Sequence, residues 1–353
     1  MMKSALFIFS LAMTSALMAQ DAASPHTPGV VQRGFIFEQA PFRSSHASTV
    51  EETKDGILAS WFGGPYERHP EVTIWTARYD GTKWSAPVQV ADGIQNSDLR
   101  YPCWNPVLFQ RKDGPLLLFF KVGPSPERWW GMWMVSQDSG KTWSKPERLP
   151  DGILGPVRNK PIPWKDGLLC GSSTEHAGWT IHMEFTPDFG KTWERTSPLN
   201  PTNSMRLIQP TILKYPSGKV QILNRSNQQK IVELWMEGDD WKKWSEPKTI
   251  DLPNPNSAVD GVVLKDGRAL LVYNHASIGR MKMNVAVSKD GKAWEAAAQL
   301  ENSAGEYSYP AVIQASDGKV HITYTWKRQR IYHVVIDPAQ IQTKPIVGSI
   351  WPD

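Results

Sequence analysis

Cysteine is nearly missing: Cys103 and Cys170 are the only two among 353 residues. At most one disulfide can form, so a packed core and not a set of staples must hold the chain. Sequence alone does not bring the two within bonding distance, and two buried free thiols are the expectation. A dominant charge is lacking as well. The net of +4 arises from 39 basic and 35 acidic residues, too weak and scattered a bias for a nucleic-acid partner. Beyond position 19 no stretch approaches the roughly 18 apolar residues that a spanning helix needs, so no membrane insertion is expected. Residues 1–19 hold one positive charge, Lys3, then an apolar run over 5–18 and a small residue, Ala19. That is the pattern of a secretory leader. The mature chain is therefore expected to be exported, secreted or periplasmic. No cysteine lies near the cleavage point to carry a lipid. Helical periodicity is missing, and no motif suggests a metal or an organic cofactor.

Tryptophan, by contrast, is abundant, with 17 copies. Residues 136–143 read S-Q-D-S-G-K-T-W, residues 186–193 read T-P-D-F-G-K-T-W, and residues 288–294 read S-K-D-G-K-A-W. Asp bonds backbone N–H groups two residues on and Gly accepts positive φ, so each is a turn. Looser copies end at Trp84 and Trp244. The closing tryptophans, 84, 143, 193, 244 and 294, lie 59, 50, 51 and 50 apart, a repeat period. A second series agrees. Hairpin turns at Gly56, Gly114, Gly167, Gly218, Gly267 and Gly318 are spaced by 58, 53, 51, 49 and 51. Strand-like runs flank each of them. Six repeats of short strands predict an all-β, six-bladed β-propeller occupying 31–353 as one domain, after a linker over 20–30. A β-sandwich would require both periods to be coincidences. The sixth repeat lacks its Asp turn, so residues 31–37 are expected to supply its outer strand and close the ring.

The first strand of each blade faces the central channel, and the hairpin glycines give a register. Nine positions before them stand Ala47, Asn105, Arg158, Gln209, Ala258 and Tyr309. His46, Trp104, Asp260 and Tyr307 reach the same mouth, as do the segments 63–71, 175–176 and 274–280, Arg225, and Lys327 with Arg328. Blander roles compete for each. Asn105 and Gln209 precede prolines and could cap strand ends. Arg158 could be a solvated rim charge, His46 a satisfied buried histidine, and one of Tyr307 and Tyr309 core. As a set, arginines, tyrosine and carboxylates in a funnel suit an anionic, hydroxyl-rich ligand.

These turns and this register resemble the sialidase (neuraminidase) superfamily in its Asp-box, or bacterial neuraminidase repeat, form, over nearly all of the mature chain. The resemblance implies an exported exo-α-sialidase-type glycoside hydrolase, cleaving a terminal, anionic sugar from glycans or glycoconjugates. Such enzymes hold the substrate carboxylate with three arginines and use a Tyr nucleophile assisted by a Glu, with an Asp acid/base. Carried over, Arg280 fits the third arginine and Arg225 the second. Tyr309 fits the nucleophile, with Tyr307 as fallback. Glu71 fits the acid/base position, with Glu67 nearby. Trp104 and Trp130 would stack on sugar faces, and Arg158, Asn105 and Asp260 would complete the binding surface. Two positions depart from the pattern. His46 stands where the first arginine belongs, with Arg43 three residues earlier. Gln209 replaces the assisting Glu, and an amide cannot take a proton from Tyr, which leaves Asp260, Glu175 or Glu306 for that work. Two alternatives therefore stay open: a uronate-directed lyase or other exo-glycosidase using His46 and Tyr309, and a non-catalytic glycan-binding propeller.

Overall fold

Residues 294–302 alternate buried and half-buried positions, the two-residue period of a strand with one covered face. The same logic builds the whole chain. The computed structural model describes residues 27–176, 178–200 and 205–352; the expected leader and most of the expected linker lie outside them. Strand β1 (Val30–Phe35) comes first. Blade 1 is β2 (Ser44–Thr53), β3 (Gly56–Gly64), β4 (Thr73–Tyr79) and β5 (Val88–Ala91). Blade 2 is β6 (Cys103–Gln110), β7 (Leu116–Val122), β8 (Trp130–Ser136) and β9 (Glu147–Arg148). Blade 3 is β10 (Ile162–Trp164), β11 (Gly167–Thr174), β12 (Thr180–Thr186) and β13 (Glu194–Arg195). Blade 4 is β14 (Leu207–Lys214), β15 (Val220–Ser226), β16 (Lys230–Trp235) and β17 (Lys248–Pro253). Blade 5 is β18 (Asp260–Val263), β19 (Ala269–Tyr273), β20 (Lys282–Ser288) and β21 (Trp294–Asn302). Blade 6 is β22 (Tyr307–Gln314), β23 (Val320–Trp326) and β24 (Arg330–Ile336), and β1 pairs antiparallel with β24 as its outer strand.

The molecule is a six-bladed β-propeller, closed by its N-terminal strand. One addition was not legible: β25 (Lys344–Pro345) pairs with β21 at Glu295 and Ala296 as a fifth strand of blade 5. One inner strand, expected from the sequence over 156–164, is shorter, Ile162–Trp164. Residues 156–161 do not join the ladder of β10, because their side chains bond other blades, one across the channel and one next door. Arg158 donates to the Pro310 carbonyl at 2.6 Å and Asn159 to the Gln209 carbonyl at 3.1 Å. Both cysteines are buried and unpaired.

The Asp turns lie on exposed ground and bond themselves. Asp138 accepts the N–H groups of Lys141 at 3.1 Å and Thr142 at 2.8 Å, and the Thr142 hydroxyl at 2.6 Å. Asp188 repeats this with Lys191 and Thr192. Such donors favour the carboxylate: Asp138 and Asp188 lie below their ordinary range, and Asp80 falls to about 2. Gly190 shows why the turn needs glycine. Its φ is +116°, and a Cβ there would meet the Trp133 ring at 3.0 Å.

Inner strands carry a different irregularity. Pairing slips between His46 and Thr49, Trp104 and Val107, Ile208 and Thr211, and Ser308 and Ala311. Within those slips Ala47, Asn105, Gln209 and Tyr309 adopt positive φ of 55°, 40°, 58° and 53°. These are four of the six positions given by the nine-residue count, so that count located a β-bulge.

At the ring seam the Trp84 indole N–H donates to His333 Nδ1 at 3.3 Å. His333 Nε2 therefore carries the proton and donates to His321 Nδ1, 3.0 Å away. Burial, with His321 adding to it, lowers His333 to about 3, and burial also lowers His321, His46 and His275. An unfolded chain protonates its histidines near about 6.5, whereas these sites resist. Below that value the unfolded state binds more protons, so stability is greatest above about pH 6.5 and falls as pH drops. The urea midpoint should be lower at about pH 5.5 than at about pH 7.5. His333→Gln, which can still accept from Trp84, should shrink that difference. An unchanged difference would show that the seam does not sense protons.

Candidate active site

The bulge in β22 turns Tyr309 toward the mouth of the channel. Its hydroxyl oxygen accepts two donors, Arg225 Nη1 at 3.1 Å and Gln209 Nε2 at 3.3 Å. Arg225 stands on β15. Its Nε donates to Asn256 Oδ1 at 2.7 Å, and its guanidinium lies 5.1 Å from the Trp179 ring centre. The Asn256 carbonyl in turn accepts from Arg280 Nη2 at 3.0 Å. Arg280 Nη1 reaches Glu306 Oε1 at 3.1 Å, and Arg328 Nε reaches the same oxygen at 2.9 Å. Glu67 closes the row, 2.5 Å from Arg328 Nη1. Asn256 and Glu306 thus string three half-buried guanidinium groups into an arc that starts at the Tyr309 hydroxyl.

Below the arc the surroundings are dry. Arg158 is fully buried, its guanidinium 5.2 Å from the centre of the Tyr309 ring. The His46 ring centre lies 4.1 Å from that of Tyr309. His46 Nδ1 meets Thr325 Oγ1 at 2.9 Å, while its buried Nε2 has no partner among the described residues. Burial, then the charges of Arg328, Arg280, Arg158 and Arg225, hold His46 well below its ordinary value, so it is neutral. For Glu306, burial opposes ionisation, but Arg328 and Arg280 outweigh it and the carboxyl lies below its usual range. Glu175 is the reverse case. Burial raises its carboxyl above the ordinary value and Glu127 adds to this, against the pull of Arg225 and Arg68.

Six of the residues expected from sequence meet here: Tyr309, Gln209, Arg225, Arg280, His46 and Arg158. Arg158 meets them as a buried support, neither a rim charge nor a ligand group. Others do not belong. The Glu71 side chain is 63% exposed beside His69, so it lacks the burial that an acid/base role requires; Glu175 has that burial. Trp104 is 1% exposed and its indole donates to the Gly123 carbonyl at 2.9 Å. It is core between blades 1 and 2, not a platform for sugar. Tyr307, also 1% exposed, turns into the core and bonds Ser303 Oγ at 2.6 Å. Asp260 accepts the Thr211 hydroxyl at 2.8 Å and the Val312 N–H at 2.9 Å, pinning blades 4, 5 and 6 together. Asn105 sits buried at the bulge of β6. Arg43 is exposed.

Asn256 escaped the sequence reading; Arg328 was placed at the mouth without a role, and Glu306 was offered as a base and not as a bridge between arginines. The Arg328 carbonyl accepts the Ser45 N–H at 2.9 Å, which sets it beside His46. The third cation therefore comes from blade 6, next to the blade 1 position where the arginine is missing. His46 itself was the signal, since its replacement of a charge called for a neighbour to supply one.

A family model described as BNR repeat-like domain matches residues 55–322. No curated protein matches the sequence. Several solved structures are similar in fold. A protein of unknown function from Dyadobacter fermentans aligns with a TM-score of 0.73 at 16% identity, over 88% of this chain and 99% of its own. The intramolecular trans-sialidase of Ruminococcus gnavus, in complex with oseltamivir carboxylate, gives 0.70 at 12% identity, over 90% and 99%. The alpha-L-arabinanase of Penicillium chrysogenum, complexed with arabinobiose, gives 0.62 at 17% identity, over 90% and 99%. At such identities the likeness is one of fold alone.

Reassigning Asp260 from ligand binding to structure has a measurable consequence. Asp260→Ala removes both of its hydrogen bonds and should lower unfolding free energy by about 3 kcal/mol, the scale of two bonds to a charged group. Chemical denaturation measures this directly. A variant as stable as the parent would return Asp260 to the list of ligand groups.

Proposed function

The chain belongs to the BNR repeat-like family, and from that premise we propose that it is a glycoside-cleaving enzyme acting on a terminal sugar that bears a carboxylate. One observation carries the reading: Arg225, Arg280 and Arg328 form an arc that begins at the Tyr309 hydroxyl. Planar guanidinium groups grip a carboxylate in a two-pronged fork. Asn256 and Glu306 fix the planes before ligand arrives, which limits the ordering cost of binding. The two named neighbours, a trans-sialidase and an arabinanase, are carbohydrate-active and support the general class.

Within that class the favoured substrate is a terminal sialic-acid-like sugar, processed outside the cytoplasm after loss of residues 1–19. An anomeric carbon that carries its own carboxylate repels an anionic nucleophile, and a neutral Tyr suits it. Tyr309 is the group for that carbon, and its phenolic proton would pass through water to the ionised Glu306, the remaining carboxylate at the mouth. Glu175, half-buried and protonated more readily than an ordinary carboxyl, is the donor for the leaving oxygen. A second reading draws on His46. A neutral imidazole with an unpartnered Nε2, packed on the Tyr309 ring, also suits proton abstraction from a uronate once the substrate reaches it, with Tyr309 protonating the leaving oxygen.

Incubation with an aryl α-sialoside and, separately, with a uronate polysaccharide distinguishes them. Free sialic acid is expected, and Tyr309→Phe should abolish its release while leaving the fold intact. Arg280→Lys keeps the charge but loses the fork, and should weaken substrate binding. Glu175→Gln should slow cleavage of a sugar–sugar bond by about a hundredfold, and of an aryl sialoside far less, because a phenolate leaves with little help. An unsaturated, ultraviolet-absorbing product from the uronate would instead favour the His46 reading. Binding of either without turnover would make this a glycan-binding propeller.

A further inference from the structure

Tyr309 stands near the start of β22 and Arg225 near the end of β15. The mouth therefore lies at one end of the blades, and the tight hairpins and Asp turns lie at the other. At that far end, between blades 4 and 5, two adjoining cavities of about 410 and 710 Å³ open. Ser217, Lys219, Trp235 and Asp290 line both, and Trp235 is the aromatic side chain they have in common. The Trp235 ring is half-buried, and its plane is fixed. Its indole N–H donates to Glu233 Oε2 at 2.9 Å, and Gln221 Nε2 donates to the same oxygen at 2.7 Å. Gln221 Oε1 accepts the Tyr215 hydroxyl at 2.7 Å. The Tyr215 ring then stacks on the indole, with centres 5.7 Å apart and planes 24° from parallel. Glu233 and Gln221 are buried, and a carboxylate in such a place is costly. Covering the turn of the next blade does not require it. Trp133 lies over Gly190 as Trp235 lies over Gly291, and among the described residues the Trp133 indole makes no hydrogen bond. A half-exposed ring fixed in advance is what a platform for ligand needs.

The charged groups around this ring differ in how far they are already engaged. Asp290 accepts the N–H groups of Lys292 at 2.8 Å and Ala293 at 2.9 Å, and Asp266 pairs with Arg268 at 2.6 Å. Lys219, Lys289 and Lys292 also line the two cavities. Their ammonium groups have no ion pair or hydrogen-bond partner among the described residues. Against them stands one unengaged carboxylate, Asp239. Available donors thus outweigh available acceptors. A flat indole beside free ammonium groups suits a sugar ring that lays its apolar face on the indole and turns an anionic group to the lysines.

We propose that this cleft is a second glycan-binding site, for a sugar ring bearing a carboxylate or a sulfate. It holds an acidic glycan at the face away from the arginines, as an anchor and not as a place of cleavage. It takes nothing from the mouth, so it stands or falls apart from the function proposed above. Calorimetric titration of the full protein, as the parent and as Arg280→Ala, tests it with tetragalacturonate, its methyl ester and a sulfated carrageenan tetrasaccharide. An acidic tetrasaccharide should bind Arg280→Ala, and the ester, which keeps the rings and loses the charges, should bind about tenfold more weakly or less. Adding Trp235→Ala should weaken the acidic ligand by about tenfold or more. Lys219→Gln leaves the indole and its carboxylate in place and guards against misfolding of the tryptophan variant; it should weaken binding and reduce its salt dependence. Binding of only one acidic tetrasaccharide tells carboxylate from sulfate and supports the site. Binding lost in Arg280→Ala belongs to the mouth and overturns the proposal. So does equal binding of the ester, or binding that neither Trp235→Ala nor Lys219→Gln changes, or no binding of either acidic ligand.

Discussion

Four left-handed residues in the innermost strands are the constraint on which the site depends. Ala47, Asn105, Gln209 and Tyr309 each occupy a conformation that costs about 1–3 kcal/mol for a residue other than glycine. In a regular strand, neighbouring side chains point to opposite faces, so one inner strand could offer the channel only every second residue. The slip re-aims the backbone and brings His46 from blade 1, Gln209 from blade 4 and Tyr309 from blade 6 to one mouth. Proline follows three of the four, as Pro106, Pro210 and Pro310. Having no N–H, proline loses no ladder bond where pairing is interrupted. The sequence thus places its missing donors where the fold has no acceptor for them.

Legibility followed the range of the forces involved. The blade count could be read because each Asp turn is made by bonds within five residues, as between Asp138 and Thr142, and so repeats visibly. The inner register could be read because a tight hairpin fixes the distance from its glycine to the bulge. Tyr307 shows where that logic ends. Two residues from Tyr309, it would share its face in a regular strand, yet it packs between blades 5 and 6 because the left-handed turn at Tyr309 breaks the alternation. Asn256, Glu306 and the pairing of Arg328 with Glu67 lie in loops whose aim is set by partners up to 261 positions away. No local period encodes such partners. Glu71 looked suitable by position, but proton affinity depends on burial, which position does not reveal.

The mouth resolves an electrostatic conflict with few parts. Four guanidinium groups converge on one tyrosine and one histidine, and each would repel the next in a dry setting. Glu306 serves two of them with a single oxygen, Glu67 serves one, and Asn256 orients two without adding charge. His46 yields by remaining neutral. Four guanidinium groups against the carboxylates of Glu306 and Glu67 leave the mouth with a positive field, which is what the proposed carboxylate-bearing sugar would meet.

The fifth strand of blade 5 bears on a different property, the tendency of sheets to recruit strands from other molecules. The outer edges of the blades face away from the channel, and three of the six are short: β9 and β13 have two residues each and β5 has four. At nine residues, β21 is the longest outer strand and the best template for a second chain. It is also the one that β25 covers, at Glu295 and Ala296. A segment of two residues therefore caps the start of the longest outer strand, where an open row of N–H and C=O groups would otherwise begin.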